Sequence, residues 1–258
     1  MFVQKTTDEM IILLNSKKAT QYMDISIIIP AYNEEKRIKK TLKTIIAYLE
    51  KEKYTYEIIV VNDGSTDKTK EVVASFQNKK IKILNNYCNE GKGYSVKQGF
   101  ISATKQWILF TDADLSTPIE ELETCFRYAE NADVIIGSRN LPMSQITVKQ
   151  PLLRSRLGKL FPFFVRLLLL PEIQDSQCGF KLFRQNVAKK IAEKQLLYGF
   201  CFDAEQLFLA KKSGFIIQEV PITWSNDERS KINIVSDSLK MFIDLFRIRW
   251  YDFCRRYQ

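Results

Sequence analysis

Residues 25 to 29 read Ile-Ser-Ile-Ile-Ile and stop at Pro30. A β-branched apolar run of that length suits a strand buried on both faces, the kind found in parallel sheets covered by helices. Beyond it, Asn33 and Glu34 open a pattern in which Ile38, Leu42, Ile45, Ile46 and Leu49 recur at helical spacing. Glu57 to Val61 is a second strand-length run, and Asn62-Asp63-Gly64-Ser65-Thr66-Asp67 supplies turn chemistry and a helix cap before Val72, Val73 and Phe76. A strand over Ile81, Ile83 and Leu84 follows, then a glycine-punctuated segment from 89 to 100. Trp107 to Thr111 is the next strand, Glu120 to Tyr128 a helix, and Val134 to Ile136 leads into Gly137-Ser138-Arg139. This alternation predicts an α/β fold with a doubly wound, mostly parallel sheet, helices on both faces and loops clustered at one edge.

Two carboxylates, Asp112 and Asp114, stand directly after the 107–111 strand. Ligands of such sheets bind outside the carboxyl ends of the strands, so the pair would face the binding crevice. Hard carboxylate oxygens there suit Mg²⁺ or Mn²⁺ shared with a phosphate. The competing reading is a plain strand-to-helix turn in which Asp114 or Ser116 caps the next helix. No loop carries a Gly-x-Gly-x-x-Gly or Walker pattern, which disfavours dinucleotide oxidoreductases and ATPases of those types.

The second half is less regular. Residues 141 to 151 read as an open loop, and Arg154 to Leu170 as a helix with a basic start and an apolar end. Asp175-Ser176-Gln177-Cys178-Gly179-Phe180-Lys181 is a polar turn leading to Leu182 and Phe183, and Phe215 to Ile222 is a further strand. Gly199 to Ala210 is a helical apolar pattern containing Asp203 and Glu205, carboxylates that are rarely buried without a specific contact. Val235, Leu239, Phe242, Phe246, Trp250 and Phe253 recur at helical spacing among Lys240, Arg247, Arg249, Arg255 and Arg256.

Composition removes whole classes of chemistry. Histidine is absent from the 258 residues, which excludes Ser-His-Asp and Cys-His nucleophilic sites and imidazole metal ligands. Any general base must be a carboxylate, a lysine or the substrate itself. Five scattered cysteines without a Cys-x-x-Cys pair fit a reducing cytosol rather than a disulfide framework. The net charge of +9 points to anionic partners, but the basic residues are dispersed and no RNA motif occurs, so nucleic acid is not expected. The most apolar stretch, Phe161 to Leu170, contains Arg166 and falls short of the about 20 residues a bilayer span needs.

The loops Pro30-Ala31-Tyr32-Asn33-Glu34-Glu35, Asn62 to Asp67, Asn89-Glu90-Gly91-Lys92-Gly93, Asp112-Ala113-Asp114 and Gly137-Ser138-Arg139 together resemble, in order and spacing, those of inverting family 2 glycosyltransferases of the GT-A fold. The 175–181 turn, Val220-Pro221-Ile222-Thr223-Trp224 and Ser230-Lys231 look like the branch that glycosylates polyprenyl phosphates, dolichyl-phosphate β-glucosyltransferases above all. The resemblance implies a GT-A domain over 24–230, with an N-terminal extension over 1–23 and an amphipathic basic C-terminal helix over 231–258. It implies transfer of a hexose, glucose from UDP-glucose foremost, to a dolichyl or undecaprenyl phosphate. GDP-mannose or UDP-GlcNAc as donor, or a saccharide hydroxyl as acceptor, is the alternative.

Carried over position by position, Pro30, Tyr32 and Glu34 would line the base and ribose, with Val61 and Asp63 closing the other side. Asp63 either accepts from a uracil N–H or makes an Asx turn. Asp112 and Asp114 would hold Mg²⁺ or Mn²⁺, with Ala113 between them; Ser116 stands where related mannosyl-transferring synthases have a metal-binding Gln. Arg139 would sit by the donor diphosphate, its alternative being an ion pair with a neighbouring carboxylate. Lys92 would approach an anion, or simply start a helix, and Arg229 and Lys231 would close over the nucleotide sugar. Asp114, Asp175 and Arg139 form the expected catalytic set, with Asp175 the first choice of base if the acceptor were a hydroxyl. A lipid acceptor would place the enzyme in the cytoplasm, peripherally on the anionic cytoplasmic face of a membrane. The apolar stripes at 161–170 and 235–253 would make that contact, or else serve core or dimer packing.

Overall fold

β1 (Asp24–Ala31) pairs in parallel with β2 (Thr55–Asn62) on one side and β4 (Trp107–Thr111) on the other, with Ile27 opposite both Ile58 and Leu109. The computed structural model describes residues 24–148, 152–226 and 234–258. With β3 (Ile81–Asn85), β5 (Val134–Ser138), β7 (Phe180–Arg184) and β8 (Ile217–Pro221), these strands form a seven-stranded sheet in the order β3-β2-β1-β4-β7-β5-β8. The apolar runs look continuous because both faces are covered. Ile28, Ile59 and Phe110 face one core with helices α3 (Lys92–Ser102), α6 (Gln185–Lys194) and α7 (Phe202–Lys212). Ile27, Ile29, Val60 and Leu109 face the other, against α1 (Ile38–Lys51) and α4 (Glu121–Phe126). Each fully buried aliphatic side chain contributes roughly 1.5–3 kcal/mol relative to exposure, so a slip of register by one residue would exchange the two cores.

The expected mostly parallel sheet is interrupted at β7, which runs antiparallel to both β4 and β5. Lys181 breaks its apolar pattern, so Phe180 to Arg184 did not read as a central strand. The segment expected to be an open loop holds β6 (Gln145–Val148), paired in parallel with β9 (Thr223–Ser225) in a separate ribbon. All four β6 residues are exposed, so no apolar alternation marks it. Helix α1 starts at Ile38 rather than at Asn33, whose positive φ of 55° and side chain serve a loop contact instead. α4 is shorter than the expected 120–128 helix, and α7 begins at Phe202 rather than Gly199.

The helices at 152–168 and 234–253, here α5 (Leu152–Leu168) and α8 (Ile234–Phe253), pack together on the first core. Phe164 meets Phe242 edge-on at 4.8 Å, and Leu245 and Ile248 are fully buried. α2 (Thr69–Ala74) completes the layer beside β2 and β3.

Candidate active site at the carboxyl edge of the sheet

The ends of β1 and β2 are tied to each other before they reach the crevice. Pro30 lies opposite Val61 in the parallel ladder, and Asp63 N–H donates to the Ala31 carbonyl at 2.9 Å. Asn33 N–H donates to Ser65 Oγ at 2.9 Å, and Asn33 Oδ1 accepts from the backbone N–H of Thr66 and Asp67. Glu34 N–H donates to Thr69 Oγ1, while the Glu34 carboxylate takes both forks of Arg37 at 2.6 Å. Tyr32 keeps an exposed ring at the rim. The side-chain bond that closes this turn comes from the neighbour of Asp63: Asn62 Oδ1 accepts from Ser65 N–H. Asp63 is buried and accepts from Asn86 Nδ2 at 2.6 Å and from the N–H groups of Glu90 and Gly91 at 3.0 Å. Its carboxylate therefore fixes the loop that leads to Lys92.

The acidic loop is held from three sides. Thr41 Oγ1 donates to the Ala113 carbonyl at 2.6 Å, Asp112 N–H donates to the Gly179 carbonyl, and Ser116 N–H donates to Asp114 Oδ1 at 2.9 Å. That last bond is a local turn, with Leu115 at φ 49°, and α4 starts only at Glu121, so neither Asp114 nor Ser116 caps a helix. The Ser116 carbonyl accepts from Ser225 N–H, which ties the loop to β9. Gly179 is the residue that sequence reasoning passed over. A Cβ there would overlap the Asp112 carboxylate, so only glycine leaves that side chain its place.

Three carboxylates at or beneath this edge are paired with cations, two with lysines and one with an arginine. Asp112 pairs with Lys92 at 2.6 Å, both side chains partly open at 31% and 26%. Burial alone would lower the Lys92 pKa, but Asp112 and then Asp203 outweigh it and hold the ammonium above its ordinary value. Asp203 in turn pairs with Lys181, which is wholly buried on β7. Lys92 and Lys181 lie 5.2 and 5.6 Å from the Phe110 ring, so charges alternate beneath the acidic loop. Asp203 is thus part of a buried ion-pair network, and Glu205 is buried against the Tyr257 hydroxyl and the N–H groups of Leu196 and Leu197.

Arg139 leaves the end of β5 and gives its backbone N–H, Nε and Nη2 to Asp175 at 2.9, 2.7 and 2.8 Å. Asp175 is fully buried and also accepts from Gln177 N–H, while its own N–H donates to Glu219. Burial would raise its pKa, yet the Arg139 guanidinium holds it below the usual carboxylate range. Both Asp175 oxygens are thus occupied, by Arg139 and by Gln177 N–H, and the carboxylate fixes the direction of the guanidinium. The Arg139 guanidinium carbon also lies over the Trp224 ring, 5.4 Å from its centre. On the far flank of Asp114, a cavity of about 850 Å³ runs along α1 past Lys36, Arg37 and Lys40. Arg229 and Lys231 lie outside the described residues.

The doubly wound sheet, with its short acidic loop at the carboxyl edge between a lysine and a pinned arginine, has the GT-A architecture. The chain belongs to glycosyl transferase family 2, whose model matches residues 26–192. It is 37% identical over 238 residues to a dolichyl-phosphate beta-glucosyltransferase of Trichomonas vaginalis, covering 87% of this chain and 72% of that protein. The protein of the same name from Dictyostelium discoideum is 34% identical, covering 92% and 77%. Among solved structures, mannosyl-3-phosphoglycerate synthase of Rubrobacter xylanophilus superimposes with a TM-score of 0.68 at 17% identity, covering 95% of this chain and 79% of that one. Glucosyl-3-phosphoglycerate synthase of Mycobacterium tuberculosis, crystallised with Mn²⁺, UDP and glucosyl-3-phosphoglycerate, gives 0.65 at 15% identity and covers 90% and 82%.

Proposed function

We propose that this protein is a metal-dependent, inverting glucosyltransferase that moves glucose from UDP-glucose to a polyprenyl phosphate, leaving a β-linked lipid phosphosugar. One observation carries the reading: relatives named for that transfer to dolichyl phosphate match 87% and 92% of this chain, well beyond the 26–192 segment shared with the family at large. In this reading Pro30, Tyr32, Glu34 and Val61 line the base and ribose pocket, and Asp63 acts by fixing the adjoining loop. Lys92 and Arg139 flank the diphosphate, and Arg229 and Lys231 close over it. The transfer domain spans 24–230, and the segment that follows, with α8 (Ile234–Phe253), serves attachment.

The acidic loop fits a hard divalent ion. Burial, and next the charge of Asp112, raise the Asp114 pKa, so a positive charge placed between the two carboxylates would favour their ionised forms. Among the described residues no group of three His, Cys, Asp or Glu side chains comes together, so Asp112 and Asp114 would leave the other positions to diphosphate oxygens and water. Mg²⁺ and Mn²⁺ accept that arrangement, and the mycobacterial neighbour holds Mn²⁺ with UDP. When bound, the ion neutralises charge gathering on the departing nucleoside diphosphate.

The acceptor explains the missing base. A phosphate monoester has a second pKa of about 6, so it is largely dianionic at neutral pH and needs no proton removed. Its oxygen forms the new bond to the anomeric carbon while the bond to UDP breaks on the opposite face, which inverts the centre. A saccharide hydroxyl would need a free carboxylate, and Asp175 is locked under Arg139. The test is a screen of labelled UDP-glucose, UDP-GlcNAc and GDP-mannose against short polyprenyl phosphates and free saccharides. Cation-dependent, chelator-sensitive glucose transfer to the lipid phosphate is expected; transfer only from another donor or only to a saccharide would overturn the reading.

Apolar side chains cluster on α5 and α8. Leu160, Phe163 and Leu167 on one helix, and Ile243, Phe246, Trp250 and Phe253 on the other, are exposed beside Arg247 and Arg249. Among the described residues no helix is long and apolar enough to cross a membrane. We read this face as a peripheral contact with anionic headgroups on the cytoplasmic side, where the acceptor presents its phosphate.

A further inference from the structure

Four polar side chains are sealed inside the core behind the Lys92 loop, and none of them can touch a substrate. Gln195, Glu205 and Gln206 have no exposed surface, and Tyr257 is 1% exposed. The Tyr257 hydroxyl, on the last turn of the chain, donates to Glu205 Oε1 at 2.6 Å. Glu205 accepts from Leu196 N–H at 3.0 Å and Leu197 N–H at 2.9 Å. Gln206 Nε2 donates to Gln195 Oε1, and Gln195 Nε2 donates to the carbonyls of Gly93 and Leu197, all at 2.9 Å. Gly93 N–H donates to the Tyr198 carbonyl at 2.8 Å, and Lys97 Nζ donates to the Gln195 carbonyl. The 195–198 segment thus grips both backbone groups of Gly93, and at Gly91, with φ 104°, a Cβ would strike the Tyr198 carbonyl.

Burying polar groups costs more than burying apolar ones of the same shape, and glycine-flanked loops lose much entropy when fixed. Here that cost is concentrated on one short loop, which carries Lys92 to Asp112. We propose that Tyr257, Glu205 and Gln195 are positioning residues that set the Lys92 ammonium in the donor site, so that the C-terminal turn tunes affinity for the nucleotide diphosphate and its cation. The inference rests on the donor-site reading above. It makes the turn that follows α8, the helix that carries the exposed apolar face, mechanically continuous with the loop beside the acidic pair.

The test is a double-mutant cycle on the full chain, reading UDP affinity with Mn²⁺ by calorimetry and stability by thermal melting. Lys92→Met and Tyr257→Phe are each expected to weaken UDP binding, Tyr257→Phe by about fivefold, and the second change should add nothing once Lys92 is gone. Glu205→Gln, which keeps the shape, should reproduce the Tyr257→Phe effect. Effects of Tyr257→Phe and Lys92→Met that simply multiply would overturn the inference, because they would mark a general loss of stability rather than action through Lys92. Unchanged UDP binding in Lys92→Met would instead remove the donor-site reading beneath it.

Discussion

The two cations of the site are held in opposite ways. On the β5 side, Arg139 makes three bonds to a fully buried Asp175 whose backbone is itself bound to Glu219, and nothing there can turn without leaving a charge unpaired. On the β4 side, Lys92 makes one contact to a carboxylate that is 31% open, with Asp203 behind it as a second partner. A bidentate buried pair is a fixed part, whereas a single, part-exposed ammonium can be displaced. In the proposed enzyme the arginine is thus a rigid wall for phosphate, and the lysine is a counterion that yields Asp112 when a divalent ion arrives.

The comparison breaks most visibly at Asp175. Asp175→Ala strands the guanidinium beside a buried cavity and should lower stability by about 3–5 kcal/mol, read from urea unfolding. A loss near that of an exposed pair would show that Arg139 is not fixed. Gly179→Ala pushes on the Asp112 carboxylate and should weaken Mn²⁺ binding roughly 10- to 100-fold with UDP present, while the melting temperature moves little. Unaltered Mn²⁺ affinity would mean that Asp112 is not a ligand.

Acid sharpens the contrast between fixed and displaceable groups. Asp175 has a depressed pKa, so its stabilisation is full above the ordinary carboxylate range and fades as pH falls below it. Glu57, on β2, behaves the same way. Burial would raise its pKa, but Lys82, Ser26 and Thr104 bring it down to about 2, so its contribution fades between the ordinary glutamate value and that point. Unfolding free energy followed from pH 7 to pH ~3 should fall less steeply in Glu57→Gln than in the parent; equal slopes would contradict this. The smallest effect belongs to Lys92→Met. Without the competing ammonium, bare Mn²⁺ should bind about threefold more tightly, even as UDP binding weakens. Weaker binding of both would make Lys92 a fixed element like Arg139.

Much of this arrangement was legible along the chain, for local reasons. Strand-length runs such as Ile25–Ile29 and Trp107–Thr111 mark buried parallel strands by themselves, and Asp112 and Asp114 must then fall at a carboxyl end. β6 was not legible, because its four residues bury nothing, and β7 was hidden by a lysine that only a partner from α7 makes tolerable. The local sequence offers Asp63 a ligand or its own turn, while its bonds go to a loop 23 to 28 residues away.

The sequence by itself determined the α/β alternation, the exclusion of imidazole chemistry and the positions of the charged groups along the edge, since these follow from residue type and short-range period. Only the tertiary structure decided which charge meets which: Arg139 with Asp175 across 36 residues, Lys181 with Asp203 across 22, and Gly179 against Asp112. A side chain's partner depends on distances set by the packing of the whole sheet, and no local pattern encodes them.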